Sequence, residues 1–251
     1  MRTLVIKNIW GGLGDHLFYS HLPRVAKETG AYGKVLISDR SQFRNPDYRK
    51  LIWEANPYVD GFTSDDGVSP AFDAVPKGMN LLDYTMLQFG LDDGLRFHEP
   101  ELYYKPTLRP ELKSMTIFDP NYISGVGNLS IDRIQHFLKD EPCRVDFQLK
   151  ARWSSVVLPN VREIGAIDVF DFCSIVASCR QFICLTSGGA TLAAALRRNA
   201  IVFYGSGQLS MFQHSRLHRY IYAGTFWGWA LAGSRRMRRL IRQRMFKMRA
   251  S

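Results

Sequence analysis

Along the chain, short apolar runs alternate with stretches whose apolar residues recur at helical spacing. In the first half Leu4–Lys7 and Lys34–Ile37 read as strands, and Tyr58–Phe62 as a short strand and turn. Between them, Asp15–Thr29 turns Leu17, Phe18, His21, Leu22 and Val25 toward one side, which predicts a helix. Tyr48–Ala55 reads as a helix that stops ahead of Pro57, because the residue before a proline avoids helical backbone. Thr63–Lys77, rich in Asp, Ser, Gly and Pro, reads as a loop, Asn80–Phe89 as a helix, and His98–Pro110 as the connection between halves. The second half starts again. Met115–Phe118, Arg144–Leu149, Ser155–Leu158, Gln181–Leu185 and Ala200–Tyr204 read as strands, and Ser130–Lys139, Asp168–Ser178 and Thr191–Arg197 as helices. Strands alternating with helices predict an α/β protein with a parallel sheet in each half, the two facing one another across a cleft. The expected divisions are residues 1–105, 113–233 and a tail, 234–251. No short-period repeat is present, which argues against a solenoid.

At 251 residues the chain can bury a full core. No apolar run approaches the ~18–20 residues that span a bilayer, and the start lacks a signal-peptide pattern. Cys143, Cys173, Cys179 and Cys184 form neither a CxxC pair nor a zinc-ligand spacing, and read as reduced thiols of a cytoplasmic protein. The net charge of +10 changes the picture only once it is located. Arg235, Arg236, Arg238, Arg239, Arg242, Arg244, Lys247 and Arg249 crowd the tail without an acid among them, and removing those eight leaves +2 for the other residues. Met237, Leu240, Ile241, Met245 and Met248 recur there at helical spacing, with Phe226, Trp227 and Trp229 just before. A basic amphipathic helix with an aromatic approach fits an anionic membrane surface. Two other readings are a solvated helix packing its stripe on the body and a nonspecific RNA contact. The near-neutral body disfavours nucleic acid.

Two turns carry the candidate chemistry. In Trp10-Gly11-Gly12-Leu13-Gly14-Asp15-His16-Leu17 an apolar strand runs into glycines and then a helix, an order that presents unpaired N–H groups to an anion. Asp15 sets this run apart from an ordinary phosphate loop. A carboxylate there repels phosphate; it either caps the helix or accepts a proton from a hydroxyl. His16 is an alternative proton acceptor or a contact to a donor phosphate or sugar. The second turn, Thr186-Ser187-Gly188-Gly189-Ala190-Thr191, follows a buried strand and opens an alanine-rich helix, placing Ser187 and Thr191 hydroxyls where open α/β sheets bind ligands. The same turn can equally be a tight βα connection whose small residues serve packing. Lys7 and Asn8 end the first strand near the cleft. Arg40 and Arg44 could meet an acidic acceptor or be solvated, and His214, Arg216 and His218 could hold a donor base or ribose or lie at the surface.

With both turns placed, the chain resembles glycosyltransferase family 9, the ADP-heptose–lipopolysaccharide heptosyltransferases. The likeness rests on Gly12–Leu17 followed by Pro23, on Asn56-Pro57-Tyr58-Val59-Asp60, and on Ser187-Gly188-Gly189 leading into Leu192–Leu196. The resemblance implies a GT-B-like pair of Rossmann-like domains and an inverting, metal-independent transfer of a sugar, heptose among the candidates, from a nucleoside diphosphate to a cell-envelope glycan or lipid-linked acceptor. It makes Asp15 the catalytic base, and gives Gly12, Gly14, His16, Ser187, Gly188, Gly189, Ala190 and Thr191 to the donor, with no cofactor. The chain departs from the family where Thr186-Ser187-Gly188 and Thr191 replace Asp-Ser-Gly and a histidine, and where residues 121–128 replace a Lys-Arg-Trp-Pro-like stretch. Gly11–Gly14 also resembles GDP-fucose-dependent fucosyltransferases, whose His-x-Arg-x-Gly-Asp stretch is missing. The competing class is a non-catalytic nucleotide-sugar-binding or scaffold protein of the same fold, for which an acid at position 15 has no use.

Overall fold

A computed structural model describes residues 2–69, 75–123, 125–139, 144–152 and 156–225. The predicted tail, its aromatic approach and Cys143 lie outside these residues. The first half builds a parallel sheet in the order β1-β2-β3 from β1 (Thr3–Ile6), β2 (Lys34–Ser38) and β3 (Gly61–Thr63). The second builds a six-stranded parallel sheet in the order β6-β5-β4-β7-β8-β9 from β4 (Thr116–Asp119), β5 (Phe147–Leu149), β6 (Arg162–Ile164), β7 (Gln181–Leu185), β8 (Ala200–Tyr204) and β9 (Arg219–Tyr222). The helices are α1 (Leu13–Leu17), α2 (Leu22–Glu28), α3 (Leu81–Gln88), α4 (Ile131–Lys139), α5 (Val169–Ser178) and α6 (Gly188–Ala195), with a π-helical segment at Arg49–Glu54. The α/β class with a parallel sheet in each half is therefore what the alternation predicted.

Strand pleat sorts the side chains of the larger sheet. Ile117, Phe182, Cys184 and Val202 join a core that also takes in Leu4, Ile6, Leu17 and Leu22 of the first half. Their neighbours Phe118, Ile183, Leu185, Ile201 and Phe203 face the other way, onto Ile134 and Leu138 of α4. One core thus runs from half to half, and a second lies on the outer face.

Four elements differ from the sequence reading. The single helix expected over Asp15–Thr29 is broken into α1 and α2, because Pro23 cannot donate to the i−4 carbonyl and its ring collides there. Val156 and Leu158, expected in a strand, are buried against the outer face, where Leu158 N–H donates to Gln148 Oε1 at 3.0 Å. They are apolar because they pack, and the edge strand that pairs with β5 is the more polar Arg162–Ile164. The last helix begins at Gly188 rather than Thr191, since Ser187 Oγ accepts from Gly189 N–H at 3.2 Å and caps it. Strand β9 had no reading at all, and pairs with β8 along Ile201–Tyr204.

Strand order locates where a ligand fits. The chain leaves β4 toward β5 on one side, and leaves β7 toward β8 on the other, so the crevice opens outside the carboxyl ends of β4 and β7. In the smaller sheet β1 pairs with β2 on one side and bridges Val68 in parallel on the other. Both glycine turns emerge at these switch points.

Candidate functional site

The first turn is fixed by backbone and one asparagine. Asn8 Oδ1 accepts from Trp10 N–H at 2.9 Å and Gly11 N–H at 3.4 Å, while Gln42 N–H donates to Asn8 O and Arg44 N–H to Gly11 O. Gly11 sits at φ +72°, a conformation that costs glycine little. Asp15, half-buried in the first turn of α1, reaches back so that its Oδ2 accepts from Gly12 N–H at 2.9 Å. Among the described residues its Oδ1 has no hydrogen bond. Burial holds the carboxyl above the usual aspartate range, a rise that the Gly12 bond and the Arg44 charge partly offset. The residue is thus a cap with one oxygen and an open acceptor with the other, and a raised pKa favours proton acceptance.

His16 does not share that opening. It has no exposed surface and stacks on Phe43 with 4.4 Å between ring centroids. Trp53 Nε1–H donates to its Nδ1 at 3.0 Å, which leaves the proton on Nε2 to be donated to Gln42 O at 2.9 Å. Burial lowers its pKa to about 4. Both nitrogens are used and the ring stays neutral, so His16, expected to contact the donor or accept a proton, is held here by Trp53 and Gln42.

The second turn meets the first. A Cβ built on Gly188 would stand 3.0 Å from Gly14 N, and one built on Gly14 would stand 3.2 Å from Gly188 Cα and 3.3 Å from Thr191 Oγ1. Helices α1 and α6 thereby cross at backbone contact. Ala190 and Thr191 are buried in this seam, and Thr191 Oγ1 lies 3.3 Å from His214 Nε2. Both were expected on a diphosphate, and here they lie within the seam. Ser187 and Gly188 are half-buried, with Ser187 Oγ accepting at the cap and its O–H still able to donate.

The remaining predicted residues divide. Lys7 is paired with Asp66 at 2.7 Å. Expected at the surface, His214 and His218 are buried, His218 Nε2 lying 2.8 Å from Ala190 O. Arg216 is exposed and lies over the Phe97 ring, 4.3 Å from its centroid. Arg40 and Arg44 are both exposed.

Two residues at the crevice, Asp119 and Arg152, had no reading. Asp119 ends β4 and is 4% exposed. Its Oδ1 takes both the backbone N–H and the side-chain N–H of Asn121, at 3.0 and 2.9 Å. Its Oδ2 would stand 2.8 Å from a Cβ on Gly189, over the first turn of α6. Burial pushes the carboxyl up to about 6, against the pull of Asn121 and the Arg152 charge. Arg152, exposed after β5, also acts on Tyr48 of the first half, which feels Arg44 and Asp15 as well. An acid closing a strand beside a small-residue turn is the signal that could have found Asp119. Two cavities, of about 370 Å³ between α4 and β9 and about 490 Å³ beside β1, touch neither glycine turn. Among the described residues no cluster of His, Cys, Asp and Glu could hold a metal ion, and no helix is long and apolar enough to cross a membrane.

No family model and no curated protein matches the chain by sequence. Solved structures match it by shape. A glycosyl transferase family 9 structure from Veillonella parvula is similar over 94% of this chain and 89% of its own, at 10% identity and a TM-score of 0.60. The E. coli ADP-heptose lipopolysaccharide heptosyltransferase II is similar over 89% and 93%, at 14% identity and 0.52. The E. coli heptosyltransferase WaaC, solved with ADP, is similar over 88% and 93%, at 10% identity and 0.52. The chain therefore has the two-sheet, GT-B-type α/β fold of these glycosyltransferases.

Proposed function

We propose that the protein is a glycosyltransferase that moves a sugar from a nucleoside diphosphate to an acceptor hydroxyl, with Asp15 as the base. The observation that carries this reading is the open Asp15 oxygen, held beside the seam where the carboxyl ends of both sheets meet. The cap uses only Oδ2, and an open second oxygen on a carboxyl of raised pKa suits proton abstraction. The leaving diphosphate needs preorganised positive charge where its own charge develops. Arg152 and the start of α6 supply it on the second half, and Arg44 faces them from the first. With that charge drawn from the chain itself, the scheme uses no metal ion. The acceptor oxygen, losing its proton to Asp15, attacks from the face opposite the diphosphate, which leaves as the new bond forms, and the anomeric carbon is inverted. One similar structure is named for ADP-heptose and lipopolysaccharide and another was solved with ADP, which makes ADP the first nucleotide to try and an envelope glycan the first acceptor class.

Residues 1–105 form the acceptor side and 113–233 the donor side of this arrangement. The test is a thermal-shift panel of ADP, GDP, UDP and CDP, since ligand at 100 times its Kd stabilises by about 2.7 kcal/mol. One nucleotide raising Tm in proportion to concentration supports the reading; a panel without a shift removes it.

In the same reading the basic segment 234–251 docks on an anionic membrane surface, where each cation contributes ~1 kcal/mol before screening. Full-length protein should bind anionic vesicles at low salt and release at high salt, and truncation after Gly233 should abolish binding. Equal binding by the truncated chain would assign the tail to packing.

A further inference from the structure

The start of α6 holds an acid where the proposed reaction needs to seat a diphosphate. Helix N-termini favour anions through their free N–H groups and dipole. Here Asp119 Oδ2 lies close beside Gly189 of the first turn, 2.8 Å from where a Cβ on it would stand. Asn121 uses Oδ1 alone, so Oδ2 is left to the little solvent that reaches a residue 4% exposed. Burial disfavours the charged form of this carboxyl, and a diphosphate brought against it adds a like charge. Protonation eases both: the carboxylic acid becomes a donor beside the first turn of α6.

We propose that Asp119 is a proton-controlled gate on this site: the nucleoside diphosphate binds when Asp119 carries a proton, which Oδ2–H donates to a phosphate oxygen, and is repelled by the carboxylate. The gate rests on the donor reading above and adds a determinant to it. The groups that face Asp119 are few. Arg152, from the segment after β5, is the charge acting on it. Cys184, its register partner on β7, has its thiol pushed well up by burial and by Asp119, and stays neutral. Phe172 of α5 closes the other side of Gly189, at 3.4 Å from the same Cβ position. Among the described residues only Arg152 offsets the carboxylate by charge, so the proton is the available means of neutralising it. Burial brings its titration to about pH 6 in the free protein. Binding above that pH takes up one proton from solvent, and each pH unit there weakens the complex about tenfold.

The experiment is titration calorimetry with ADP, and with GDP and UDP as alternative probes, on the full chain and on Asp119→Asn. The amide keeps an acceptor for Asn121 and presents N–H at the Oδ2 position, a permanent mimic of the acid. Wild type should bind about 100-fold more weakly at pH 8 than at pH 5.5 once the pH dependence seen in Asp119→Asn, which reports the nucleotide's own titration, is divided out. At pH 8 the variant should bind more tightly than wild type. Repeating the pH 8 titration in buffers of different ionisation enthalpy should show uptake of about one proton by wild type and none by the variant. Wild-type affinity and proton uptake indifferent to pH, or a variant binding no tighter at pH 8, overturns the gate while leaving the donor reading in place. Failure of both proteins to bind any nucleoside diphosphate at either pH overturns both.

Discussion

The two glycine turns look alike as strings of residues and differ in what they expose. Each follows the end of a strand at a switch point and opens a helix. Turn one spends a carboxylate oxygen on its own cap and leaves the other oxygen open. Turn two caps itself with Ser187, buries Thr191, and has an acid from a different strand leaning over it. Gly14 and Gly188 serve each other: both are small because two helices touch there. A glycine turn is thus evidence of close approach, and what approaches can be the protein's other half.

The comparison breaks most decisively at Asp15. In Asp15→Asn the amide oxygen can still accept from Gly12 N–H, so folding and nucleotide binding should hold while turnover falls at least ~100-fold. Wild-type turnover should fall as pH drops through the Asp15 pKa, which burial holds above the usual aspartate range. A variant working within a few-fold of wild type would reduce turn one to a cap.

Asp119 should show its opposite character in stability. Its pKa is about 6 in the folded protein against 3.8 for an unperturbed aspartate, so the folded state holds the proton more tightly. The stability this supplies is full below pH 3.8 and lost as pH rises through 6. His16, His21 and His214 run the other way: burial lowers them to about 4, 3 and 3 from 6.5, so their contribution is present above pH 6.5 and lost as pH falls below it. Urea unfolding should therefore find Asp119→Asn gaining about 2–3 kcal/mol on wild type between pH 4 and pH 7, with the histidine losses common to both. A constant difference would mean that Asp119 is ionised at no cost.

Gly188→Val tests the seam. The added carbons meet Gly14 N and Leu13 Cβ at 3.0 and 3.2 Å, and overpacking of this kind costs about 2 kcal/mol. Unfolding midpoints should drop accordingly. Unchanged stability would mean that the helices separate freely.

Periodicity made the alternation legible because buried parallel strands such as Phe182–Leu185 and Ile201–Phe203 are apolar on both faces. It failed at the edges, where Arg162–Ile164 and Arg219–Tyr222 are covered on fewer sides and carry polar residues. At the site, local order revealed Asp15, since its partner Gly12 is three residues away. It could not show that His16 lies against Trp53, that Thr191 meets His214, or that Asp119 leans over Gly189, because each depends on chain 23 to 70 residues distant.

Thr191 gives the smallest effect and the finest distinction. Its hydroxyl was expected on a phosphate, and lies 3.3 Å from His214 Nε2 inside the seam. The imidazole is neutral, since burial and His218 hold its pKa at about 3. His214 Nδ1 has no partner among the described residues, so losing Thr191 leaves the ring without its one side-chain hydrogen bond there. A buried neutral hydrogen bond contributes ~0.5–1.5 kcal/mol, and its length places this one at the lower end. Thr191→Val keeps the shape and removes the hydroxyl. Stability should fall by about 0.5–1 kcal/mol in urea, with ADP affinity unchanged by calorimetry. A phosphate ligand predicts the reverse pattern, since a lost hydrogen bond to a charged group is worth ~1.5–3 kcal/mol, or more than tenfold in Kd. Affinity falling by that factor at constant stability would return Thr191 to the donor and make the two turns alike after all.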